Sequence, residues 1–206
     1  HAGSGNDFIS IEKNASRLIS FIDNEFGGSV LLIGGLSLGA QILVEMLTQR
    51  NSICLNAVIE SASVIPSRLT NALIKPMFSL SYGLVKKKCF AQMQFDYLHI
   101  RKDLFEDYYR DTSQISKENM IAFLEANTSY EIKPNLQDVH ANIHILVGEK
   151  EQKKMICSAE QLHKALPGSI LEIKKGLYHG EYSINHPEEY TKELLDMMCY
   201  ILNKSA

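Results

Sequence analysis

The chain has 206 residues, a formal net charge of −3 and charges of both signs spread along its length. That length supports one sizeable core with room for an inserted subdomain. The balance excludes the clustered Lys and Arg of a nucleic-acid footprint, and no apolar run reaches the ~18 to 20 residues needed to span a bilayer.

In chain order, Ser10 is a plausible N-cap for a helix that carries Ile11, Ala15, Leu18, Ile19, Ile22 and Phe26 on one face, with Gly27-Gly28 as its stop. Apolar strands are predicted at Val30 to Gly34, Asn56 to Ser61, Ile143 to Gly148 and Ile170 to Lys174, each short enough for a strand buried on both faces. Helical periodicity covers Leu38 to Gln49, Lys153 to Leu166 and Pro187 to Leu202. This alternation implies an α/β fold with a mostly parallel, doubly wound sheet.

The alternation breaks over residues 64–135, which hold helix-like stretches and no clear strand. This segment is expected to be a helical cap inserted into a core formed by 1–63 and 136–206. Ten of the 17 Phe and Tyr residues fall in it, and packing accounts for most of them. Lys86-Lys87-Lys88 is the only basic block, and it reads as a solvated helix face.

The four cysteines are widely spaced, without a Cys-x-x-Cys pair, and are expected to be reduced and mostly buried. A cytoplasmic location follows. No pair among the seven histidines has metal-ligand spacing, so no metal is expected, and no cofactor is called for.

The chemistry gathers around Gly35-Leu36-Ser37-Leu38-Gly39, between a predicted strand and a predicted helix. A serine in a tight strand-to-helix turn projects its hydroxyl from the backbone, and small residues two before and two after let the neighbouring chain pass. The helix that starts there aims free amides, Leu38 first, at any oxyanion. A serine needs a base, and the base an orienting acid. The loops after the third and fourth strands supply both, as Gly148-Glu149-Lys150-Glu151 and Gly176-Leu177-Tyr178-His179-Gly180. Glu151 leads on loop position, with Glu149 and Glu60 as rival acids. His1, His99, His140, His144, His163 and His186 lack the loop context of His179 and read as surface or packing residues.

These three loops, in the order Ser37, Glu151, His179, resemble those of the α/β-hydrolases of the single-domain esterase and lipase type. The resemblance implies a catalytic triad, an oxyanion amide from Leu38, an acyl-enzyme and a small acyl substrate. It departs from the family in having Glu151 where aspartate is commoner. His1-Ala2-Gly3-Ser4-Gly5 is similar to the family's His-Gly-x-Ser turn, so the early strands and the second oxyanion donor are expected upstream of His1. The strand at Val30 would then be an apolar edge, open to homo-oligomerisation. Two other readings share the fold: a catalytically silent protein binding a small ligand or partner under the cap, and an acyltransferase.

Overall fold

A computed structural model describes residues 7–204. Helix α1 (Ile11–Phe26) begins where Ser10, in extended conformation, accepts a hydrogen bond from the Lys13 amide, and it ends at Gly27 with φ 70°. Among the described residues there are four strands, β1 (Val30–Leu36), β2 (Cys54–Glu60), β3 (Asn142–Gly148) and β4 (Ile170–Lys174). They form one parallel sheet in the order β1-β2-β3-β4. Helix α2 (Leu38–Gln49) crosses from β1 to β2 and α7 (Lys153–Ala165) from β3 to β4.

Strand alternation sorts the core into two faces. Ala57, Ile59, Ile143, Ile145 and Val147 pack with Ile11, Leu43, Leu47 and Leu162 in the main cluster of α1, α2 and α7. Val58 and Leu146 point the other way, against Tyr182 and Met197 of α8 (Glu181–Asn185) and α9 (Pro187–Lys204). The result is a three-layer α/β/α arrangement.

The connection between β2 and β3 contains α3 (Arg68–Val85), α4 (Lys88–Tyr97), α5 (Phe105–Ser113) and α6 (Lys117–Ser129). Here Phe95 meets Phe105 and Tyr108 edge to face, each at a centroid distance of 5.3 Å, which forms a local core. Fully buried Gln41 of α2 ties this insertion to the sheet layer: it donates to the carbonyls of Ser63 and Asn127 and accepts from the Asn127 amide.

Several expectations need correction. Only β2 and β3 are buried on both faces, because β1 and β4 are the edges of the described sheet; Leu31, Ile170 and Ile173 are about half exposed. Leu18 lies at the margin of the α1 stripe and Phe26 in its last turn, so both are exposed. Strand β1 runs on to Leu36, still in register with Glu60, which confines the turn to Ser37. Of the four thiols only Cys54 is buried, and burial pushes it up to about 12; Cys89, Cys157 and Cys199 are exposed. Lys86 to Lys88 occupy the α3–α4 junction rather than one helix face.

Candidate active site

Parallel register brings the carboxyl ends of the strands level: Leu36 lies beside Glu60, Glu60 beside Leu146, and Gly148 beside Lys174. The loops that follow therefore converge at one end of the sheet. Ser37 follows β1 directly, with φ 55° and ψ −115°, a backbone conformation L-residues seldom adopt. Its amide donates to the Glu60 carbonyl at 2.9 Å, while its own carbonyl accepts from Gln41 in the first turn of α2. The strained turn is thus held from both sides. Gly35 is required, since a Cβ there would lie 2.6 Å from the Gly39 carbonyl oxygen. Gly39 is different: a Cβ there would meet nothing within 4 Å among the described residues, so the expected steric role does not apply to it.

The histidine loop reaches the elbow through two more close approaches. A Cβ on Gly148 would lie 2.4 Å from the Leu177 carbonyl oxygen. Gly180, at φ 68°, presses on the Leu36 side chain, 2.9 Å from where its Cβ would be. The result is an unbroken side-chain chain. His179 Nε2 is 3.0 Å from Ser37 Oγ, and His179 Nδ1 is 2.7 Å from Glu151 Oε2. The other oxygen of Glu151 accepts from the Ser61 hydroxyl at 2.6 Å and the Gly148 amide at 2.8 Å.

Burial works to raise the Glu151 carboxyl, but the hydrogen bonds from His179, Ser61 and Gly148 outweigh it and hold the group below the usual carboxylate range. Glu151 is therefore an anion at neutral pH, oriented by three donors. Ser61 carries no signal of this role in the sequence, where it reads as the last residue of a strand. Its φ of 54° takes it out of β2 and toward Glu151.

The rival acids are engaged elsewhere. Glu149 accepts from the Gly176 amide at 2.8 Å, and Glu60 from the Ser183 amide at 3.3 Å. Glu60 is 3% exposed, and its Oε2 has no hydrogen-bond partner among the described residues. Burial foremost, opposed by the Ser183 contacts and reinforced by the Glu151 charge, raises its pKa. A carboxyl raised on folding costs stability above its folded pKa and nothing below its unfolded one. Glu60→Gln is accordingly expected to raise the melting temperature at pH 8 by about 2 °C, as roughly 1 kcal/mol would in a chain of this size. The gain should vanish below about pH 4.5, which thermal scans across pH would check.

A cavity of about 350 Å³ opens beside Glu151 and His179, lined also by Tyr97, Leu98, His99 and Met155. A larger one, about 590 Å³, lies by the starts of β2 to β4 and α9, at the opposite end of the strands from Ser37. The smaller cavity is the one in reach of the site. His99, expected to be a surface or packing residue, stacks on Tyr178 at 3.8 Å next to His179, while Lys150 Nζ lies 4.9 Å from the same ring. Asn185 fixes that loop, donating to the His99 carbonyl at 2.7 Å and accepting from the Arg101 amide at 3.0 Å. Asn185→Ala, by removing two hydrogen bonds that join the insertion to the core, is expected to lower the melting temperature by about 2 to 4 °C, as roughly 1 kcal/mol would in a chain of this size, which thermal scans would check.

The Leu38 amide, in the first turn of α2, has no acceptor within its own helix. The His1 to Gly5 turn lies outside the described residues. No group of three or more His, Cys, Asp or Glu residues suited to a metal occurs among the described residues.

Compared with solved structures, the chain is similar to a carboxylesterase of the thaumarchaeon Nitrososphaera gargenis, with 16% identity over 99% of this chain and 76% of the other, at a TM-score of 0.73. This is an α/β-hydrolase fold. An esterase from Exiguobacterium antarcticum matches at a TM-score of 0.75 with 16% identity, covering 92% of this chain and 74% of its own. A bromoperoxidase from Bacillus anthracis matches at 0.77 with 13% identity, covering 95% and 76%. No family model and no curated protein matches. Identities this low establish the hydrolase fold, which hosts several chemistries, and leave function to the site. No helix among the described residues is long and apolar enough to cross a membrane.

Proposed function

We propose that this chain is a serine hydrolase that cleaves carboxylic esters, or the related thioesters, with Ser37 as nucleophile, His179 as general base and then acid, and Glu151 as the orienting carboxylate. The observation that carries the reading is the Ser37–His179–Glu151 hydrogen-bond chain at 3.0 and 2.7 Å. Ser37 Oγ attacks the substrate carbonyl while Nε2 takes its proton. The oxyanion receives the Leu38 amide, and the proton passes to the departing alkoxide or thiolate. Water, deprotonated by the same Nε2, then attacks the acyl-enzyme, and Ser37 recovers its proton as the acid leaves. Glu151 holds Nδ1 protonated throughout and steadies the imidazolium.

The same reading assigns residues 64–135 as a cap over the acyl site, with Tyr97, Leu98 and Met155 accommodating an apolar acyl group. It includes a cytoplasmic location and self-association through the half-exposed β1 edge. Fluorophosphonate labelling followed by intact mass tests it. A single phosphonyl adduct that disappears in Ser37→Ala supports the hydrolase, whereas an unlabelled chain supports a silent hydrolase-fold protein that binds a ligand under its cap.

A further inference from the structure

Among the described residues, Oε2 of Glu60 is the only buried side-chain oxygen or nitrogen without a hydrogen-bond partner. A buried carboxylate without a cation costs stability, and such costs gather at functional sites. No Lys or Arg forms an ion pair with Glu60 among the described residues. Of the charged groups that bear on it, Glu151 disfavours its ionisation and His179 favours it. Tyr190 of α9, whose hydroxyl lies over Gly34 in the neighbouring strand, is pushed up to about 12, by burial foremost and then by Glu60, and stays a neutral phenol. Glu181, at the start of α8, is turned instead to the Tyr178 amide at 2.8 Å. An imidazolium at His179 is therefore the one counter-ion that these residues offer Glu60.

The position follows from the strand. Val58 faces α8 and α9, so Glu60, two residues on, faces the same way. There it lies under the segment that carries His179. Gly180 presses on Leu36, the residue beside Glu60 in register, and the Ser183 amide donates to Glu60 Oε1 at 3.3 Å. The backbone carbonyl of Glu60 accepts from the Ser37 amide at 2.9 Å, and the next residue, Ser61, holds Glu151. Glu60 thus adjoins the supports of Ser37, Glu151 and His179 together.

We propose that Glu60 is a positioning residue for His179: its buried charge stabilises the imidazolium that forms when Nε2 takes the Ser37 proton, while its bond to Ser183 steadies the segment behind the ring. This role rests on the serine-hydrolase reading of Ser37 and His179. The proton stays on Nε2, and none passes to Glu60, whose anion acts at a distance. The test is the pH dependence of kcat/KM for p-nitrophenyl acetate on the whole chain, with the rate of fluorophosphonate labelling as a second readout. The acid limb of that profile reports the base of the free enzyme, so removing an anion that favours its protonated form moves the limb to lower pH. Glu60→Gln keeps an acceptor for Ser183 and removes the charge. It should move the limb down by roughly half a pH unit and lower the plateau about fivefold. Since Glu60→Gln is also expected to melt higher at pH 8, a lower rate there is not a loss of fold. Glu60→Asp keeps the charge and withdraws from Ser183, and should leave the limb near its wild-type position. A role in packing alone predicts the reverse, with Gln like wild type and Asp impaired. That pattern, or a limb unmoved in Glu60→Gln, overturns the proposal. A wild-type chain that neither turns over the ester nor takes the label overturns the hydrolase reading and this role with it, whereas a labelled, active wild type with an unmoved limb in Glu60→Gln removes the role of Glu60 alone.

Discussion

Ser37→Ala is expected to lower ester turnover by about 10⁵-fold or more while leaving the fold intact, because loss of the nucleophile in such a site costs nearly as much as loss of the whole triad. Among the described residues the side chain makes one hydrogen bond, to His179 Nε2, and the elbow rests on the backbone bonds of Ser37 to Glu60 and Gln41. The melting temperature should therefore move by no more than a degree or two. Turnover of p-nitrophenyl acetate before and after the substitution, together with fluorophosphonate labelling, measures the effect. A variant that keeps more than a hundredth of the activity would remove Ser37 from the mechanism.

The second large effect is expected far from any functional group. Gly148→Ala puts a methyl 2.4 Å from the Leu177 carbonyl oxygen and 2.8 Å from that of Tyr178, both backbone atoms with no rotamer to yield. Either β3 or the 177–180 loop must move, and that loop carries His179. A displacement of about 1 Å of a catalytic base costs on the order of 10²-fold in rate. Gly148 also donates its amide to Glu151, so the same shift disturbs the carboxylate proposed to orient His179. Activity should fall about a hundredfold and the melting temperature by several degrees, as for other overpacked sites. Gly39→Ala is the matched control: with open space around its Cβ and a place in the first turn of α2, it should leave stability unchanged or slightly improved. If the two glycines behave alike, the close approach at Gly148 is not what positions the loop.

Glu151 shows how far the site depends on chain segments remote from one another. Its three donors come from the end of β2, the end of β3 and the loop after β4. The local sequence around Glu151 contains one of them, Gly148. Ser61 has no distinguishing local signal, since a serine ending an apolar run is equally compatible with a strand terminus or a turn. His99 likewise lacked any signal, because its stack on Tyr178 requires the inserted helices to be docked against the loop after β4.

What the sequence determined by itself was everything written at short range. The Ser10 cap, the Gly27 stop, the four apolar runs and the helical periodicities of α1, α2, α7 and α9 are local, because hydrogen bonding and side-chain spacing within an element depend on near neighbours. The elbow is equally local, a serine between strand and helix with Gly35 two residues before it. Only the tertiary structure decided which carboxylate meets His179, that β4 is an edge of the described sheet with half-exposed isoleucines, that three cysteines face solvent, and that α3 is left uncovered on its apolar side. Each of these depends on which surfaces pack together. A 3.6-residue apolar period states that a helix has an apolar face, and does not state whether anything covers it.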